Sequence, residues 1–141
     1  MTSSRVATEP TIARRVFPRW SIEIPDSLAE TFVTPESYWH AWDDHRSVSM
    51  TSILVADANG PIDAKRIARE LPPGEGKSVD ERPPGLDGWA VIADAIQPAK
   101  ASRMLSGILT SVGCALIVTI TTDDLDWARR VWLSIRHHAL D

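Results

Sequence analysis

The sequence predicts an α+β fold: a largely antiparallel sheet of about six strands flanked by two helices, an α/β/α sandwich. Three observations carry this. Short β-branched or alternating runs follow one another at hairpin distances along the 141 residues. The last third, Ser102 to His138, reads as a strand, a tight turn, a second strand and a closing amphipathic helix. A second helix-period stretch, Asp63–Leu71, interrupts the strands once, giving the order strand, strand, strand, helix, strand, strand, strand, helix.

Residues 1–15 are polar and broken by Pro10, which predicts a poorly ordered tail before a single α+β domain over 16–141. Arg5, Arg14 and Arg15 with the lone acid Glu9 faintly echo an organellar transit peptide, but a frayed terminus is the simpler reading. Arg19–Pro25 alternates, with Trp20, Ile22 and Ile24 on one face and Ser21 and Glu23 on the other. Asp26–Glu30 predicts one helical turn with Asp or Ser as its cap. Tyr38–Asp43 is the second strand and Asp44-His45 its turn; Arg46–Ala56 returns, with Val48 and Met50 on the core face and Leu54 a further candidate for it.

Asn59-Gly60-Pro61 marks a turn. Asp63–Leu71 is a short helix with Asp63 as cap, an apolar stripe of Ala64, Ile67, Ala68 and Leu71, and Pro72-Pro73 as its stop. Pro72–Gly88 is a loop in which Pro and Gly supply eight of seventeen residues; a loop that long is functional or mobile. Trp89–Ile96 is a strand with Trp89, Val91, Ala93 and Ala95 facing one way.

Arg103–Thr110 and Cys114–Thr121 form the closing hairpin around Ser111-Val112-Gly113. Leu116, Val118 and Ile120 alternate with Ala115, Ile117 and Thr119, so both faces of this strand expect a cover. Thr121-Thr122-Asp123-Asp124 ends it and starts the last helix, with a Thr as cap and Asp123, Asp124 and Asp126 at the positive end of the dipole. Leu125, Ala128, Val131, Trp132 and Ile135 make its stripe, and Arg136, His137 and His138 close the negative end. The stripe should lie on the sheet.

Bulk composition excludes several classes. A chain this long buries about 68–70% of its unfolded surface, so no staple is required. A net charge of −4 implies no polyanion partner, and the acidic balance argues against nucleic acid. One Cys rules out an internal disulfide framework and a multi-Cys zinc site. No apolar run reaches the roughly 18 residues of a membrane span, and no secretory signal opens the chain, which predicts a cytoplasmic protein.

Three landmarks resemble the MOG1/PsbP-like family over roughly residues 18–138: the Pro-closed strand Trp20-Ser-Ile-Glu-Ile-Pro25, the Gly-led strand Leu86-Asp-Gly-Trp-Ala90, and the terminal Val131-Trp-Leu-Ser-Ile135. The resemblance implies an antiparallel sheet flanked by helices and a mostly non-catalytic role, as in a small-GTPase-binding protein, photosystem accessory subunits, bacterial lipoproteins and secretion adaptors. The lipobox Cys of the lipoproteins is missing, and no functional residue carries across.

Enzyme signatures are absent or explained away. Gly74-Glu-Gly-Lys-Ser78 suggests a phosphate loop, but Leu71 stands where the motif needs Gly, and a helix precedes it where a strand should. His40 and His45 with Asp43 and Asp44 could approach a metal site, though surface polar groups explain them as well; His137 and His138 would point apart on a helix. Cys114 opens the most apolar strand and reads as a core residue rather than a nucleophile. Six Trp are many for this length. Trp39 and Trp42 fall on opposite faces of one strand, so one is open to act as an anchor beside Tyr38 and His40.

The reading is therefore a non-catalytic binding or adaptor domain with a protein partner or a second copy, no cofactor and no metal. Its candidate binding residues are Tyr38, Trp39, His40, Trp42, His45 and Trp89. A toxin-neutralising immunity protein fits the same class. The alternative is a small ligand-binding domain or enzyme with a cleft between the Tyr38–Arg46 hairpin and the Pro72–Gly88 loop.

Overall fold

The structure, a computed structural model, describes residues 10–17, 19–34, 37–54, 56–57, 60–61, 76–95, 102–111 and 114–138. Twelve strands and one helix are found among them: β1 (Thr11–Phe17), β2 (Trp20–Pro25), β3 (Ala29–Thr34), β4 (Tyr38–Trp42), β5 (Ser47–Leu54), β6 (Ala56–Asp57), β7 (Gly60–Pro61), β8 (Lys77–Val79), β9 (Asp87–Ala95), β10 (Ser102–Ser111), β11 (Cys114–Thr122), α1 (Leu125–Leu133) and β12 (Arg136–His137). Seven strands pair in the order β3-β4-β5-β11-β10-β9-β8, three in the order β1-β2-β12, and β6 with β7. Every pairing is antiparallel.

This overturns the expected sheet of about six strands between two helices. The protein is mostly sheet, and α1 is the one helix among the described residues. The helix expected at Asp63–Leu71 lies outside them. Four strands that the sequence hid account for much of the difference. Thr11–Arg15, read as tail, belongs to β1; the turn expected at Asp26–Glu30 gives way at Ala29 to β3; the Pro72–Gly88 loop contains β8; and the expected helix end contains β12. These four are the edges of the two larger sheets. An edge strand pairs on one side only, so its sequence carries a weak burial pattern.

The two sheets share one core. β2 contributes Trp20, Ile22 and Ile24, and the large sheet contributes Trp39, Met50, Leu105, Leu116, Val118 and Ile120, all at most 1% exposed. On β11 the predicted alternation holds: Leu116, Val118 and Ile120 enter this core, while Ala115 and Ile117 meet Ile53, Trp89 and Ile108 in a smaller cluster on the reverse face.

The α1 stripe is also as expected, with Ala128, Val131, Trp132 and Ile135 buried, and Trp127 joins it. The cap is Asp124 rather than a Thr. Its Oδ1 accepts the Trp127 N–H at 3.1 Å, and Thr122 Oγ1 supports it by accepting the Asp124 N–H at 3.0 Å. Trp132 donates its indole N–H to the Glu81 carbonyl at 2.9 Å, which fastens the 80–86 segment to the helix. Ser134 closes α1, its N–H reaching the Arg130 and Val131 carbonyls at 3.1 Å each. Arg136 and His137 therefore leave the helix and pair with β2, opposite Ser21 and Trp20.

Candidate functional site

β4 is sandwiched between β3 and β5, so pairing fixes its pleat and sends alternate side chains to opposite faces. Trp39 and Ala41 point into the core, both fully buried. Tyr38, His40 and Trp42 point the other way. Tyr38 is 37% and Trp42 38% exposed, and the His40 ring stacks on Trp42 with centroids 4.9 Å apart and planes 25° from parallel. Their neighbours across the pleat are small: Thr31 and Ser49 flank His40, Ala29 and Ser47 flank Trp42, and Thr51 faces Tyr38.

Phe32 and Val33 on β3 are 41% and 60% exposed. Phe32 pairs with the inward-pointing Trp39 and meets Phe17 edge-on at 6.4 Å, so it lies on the opposite face of the sheet from Tyr38 and Trp42. The pairing of β3 with β4 slips between Phe32 and Thr34, which makes Val33 the extra residue of a bulge. A bulge protects a sheet edge from further strand addition. The face of β4, rather than the edge of β3, is the surface open to contact.

The hairpin behind this face is locked by Asp43. Its Oδ1 accepts the N–H groups of His45 and Arg46 at 2.8 Å each, and its Oδ2 accepts Arg46 Nε–H at 3.0 Å and Nη2–H at 2.8 Å. Burial pushes the Asp43 carboxyl up, but the Arg46 side chain and the two backbone donors outweigh it and hold the group below the usual carboxylate range. Arg46 also lies 4.8 Å over the Trp127 ring, tying the hairpin to α1.

The candidate residues thus divide. Tyr38, His40 and Trp42 come together on one face. Trp39 is a core residue, its Nε1–H donating to Glu30 Oε2 at 2.9 Å; Glu30 also takes the Arg14 guanidinium, so one carboxylate joins β1, β3 and β4. His45 is exposed in the turn. Trp89 belongs to β9, with three strands between it and β4, and β8 is one strand further. The pairing order puts the hairpin and the described part of the Pro72–Gly88 loop on non-neighbouring strands. Among the described residues no three of His, Cys, Asp and Glu converge as metal ligands would.

A second constellation was hidden. β12 carries His137 to the closing pair of the β10–β11 hairpin, Ser111 opposite Cys114. His137 Nδ1 is 3.1 Å from Ser111 Oγ, and Nε2 is 3.4 Å from Cys114 Sγ. Trp20 meets the imidazole edge-on at 4.8 Å. Next door, His138 Nε2 is 2.7 Å from Ser21 Oγ, and the His138 N–H donates to the Arg19 carbonyl at 2.7 Å.

Thiol, imidazole and hydroxyl stand in the order of a nucleophile, base and orienting group. The setting does not activate them. Cys114 is 1% exposed, and burial pushes its thiol up against the opposing pull of Arg19, so it rests as the neutral thiol. Burial, with the positive charges of Arg19 and His138, holds His137 below the ordinary imidazole value. Sequence reasoning missed this cluster because it continued the helix through His137. The two histidines reach different partners, His137 to Ser111 and Cys114 and His138 to Ser21.

No protein-family model and no curated protein matches the chain. No helix among the described residues is long and apolar enough to cross a membrane.

Proposed function

We propose that the chain is a non-catalytic binding module, working in the cytoplasm, that docks a protein partner on the open face of β4. Tyr38 and Trp42 are its anchors, and His40 holds the Trp42 ring by stacking. The observation that supports this is the row on the outer face of β4, where Tyr38 and Trp42 are each more than a third exposed and His40 stacks on Trp42. Single exposed apolar side chains need no explanation, but a row of rings on one strand face, bordered by hydroxyls, does. Tyr and Trp are also the side chains that dominate binding energy at protein interfaces.

The test is a pull-down from the native source with the wild-type chain and a Tyr38→Ser/Trp42→Ser variant. Proteins retained by the wild type should be lost by the variant while the melting temperature holds, because both side chains lie on the solvent side of the sheet. Retention of the same proteins by the variant would remove this face from the reading.

A further inference from the structure

β12 is two residues long and forms an edge of the small sheet. Beyond its ladder to β2, it is fastened in two directions, by His137 and by the following residue, His138. His138 holds Ser21 within the small sheet, whereas His137 crosses to Ser111 and Cys114 of the large one. His137 is therefore the bolt between the two sheets at this corner.

A neutral imidazole presents one donor and one acceptor, and a hydroxyl and a thiol can each answer either. Protonation makes both ring nitrogens donors, which leaves the thiol sulfur as a poor acceptor. It also places a cation in a half-buried site where, among the described residues, no carboxylate pairs with it. The charges bearing on His137 are those of Arg19 and His138, both positive when ionised. From β10 and β11 it faces the uncharged Ser111 and the neutral Cys114 thiol. Arg136 of its own strand turns to the Leu133 and Ile135 carbonyls. On β9 the carboxylate of Asp87, opposite Thr110, lies 3.7 Å from Arg82. A half-buried cation beside other positive groups is relieved by moving into water.

We propose that β12 is an acid-released latch: protonation of His137 frees it from Ser111 and Cys114, and lifting β12 uncovers the Cys114 thiol. Closed, the latch leaves the thiol 1% exposed. The depressed proton affinity of His137 in the closed state agrees with this, since protons then favour the open state.

The experiment measures Cys114, the only cysteine, in the whole chain. Its rate of reaction with 4,4′-dithiodipyridine, divided by the rate for the denatured chain at each pH, reports the open fraction. Between pH 8 and 6.5 the ratio should be flat; below about 6.5 it should climb roughly tenfold per pH unit until the closed-state affinity is reached. Far-UV circular dichroism should hold over the same range, because the sheets persist. His137→Gln keeps a donor and an acceptor but cannot ionise, and its ratio should stay flat. A flat wild-type ratio, or an equal acid rise in His137→Gln, overturns the latch. If that variant does not fold, the wild-type His137 ring is titrated by NMR, and a midpoint more than one pH unit from that of thiol exposure overturns it instead.

Discussion

Gly107 marks where strand and helix meet most closely. A Cβ there would lie 2.6 Å from the Trp89 carbonyl oxygen and 2.7 Å from the tip of the Trp132 ring, so hydrogen alone lets Trp132 reach the sheet. Gly107→Ala should cost about 1–3 kcal/mol by overpacking. Trp132→Ala, which empties a fully buried site, should cost about 3–5 kcal/mol. Urea denaturation of both variants checks these values, and combining them tests the contact: with the ring gone, Gly107→Ala should lose part of its cost. An additive pair would place the strain at the Trp89 carbonyl instead. Trp132 was legible from helical spacing, because its neighbours in the stripe are near in sequence. Gly107 was not, because what limits it lies 18 residues before and 25 residues after it.

α1 and β12 show how far an element could be read from its own residues. The stripe and the acidic start of α1 were written in sequence, but the choice of cap was not. Thr122 and Asp124 are both good caps, and the last pairs of β11 decide between them by keeping Thr122 in the strand. Asp124→Ala should therefore cost about 1 kcal/mol of stability, while a matched loss on Asp123→Ala would move the cap. Calorimetry of the two variants separates them. The same logic explains the missed edges. Central strands such as β11 announce themselves by burial on both sides, whereas β1, β3, β8 and β12 exist because a neighbour offers its backbone. The alternation of β4 was legible and separated Trp39 from Trp42. That Trp89 belongs elsewhere depended on strand order, which no local pattern carries.

Across the whole molecule, two titrating groups join elements far apart in the chain, and acid reaches them in sequence. His137 bridges the two sheets; its proton affinity is lowered on folding, so the unfolded chain takes up a proton first as pH falls below about 6.5. Its contribution to stability is complete above that value and declines as pH drops toward the folded one. Asp43 anchors the β4–β5 hairpin and, through Arg46, the face of α1. Its carboxyl is also depressed on folding, so its contribution is present above the ordinary carboxylate value and is lost only as pH falls through the lower, folded one. Acid should thus loosen the corner at β12 first and the hairpin later, the second step carrying the Tyr38–Trp42 face with it. Near-ultraviolet circular dichroism, which reports Trp packing, should show a change starting near pH 6 and another near or below pH 4. In Asp43→Asn the first should remain and the second should shrink, because the amide cannot titrate. Loss of both steps in that variant would mean the hairpin and the corner open as one unit, and that the two sheets respond to acid as a single body.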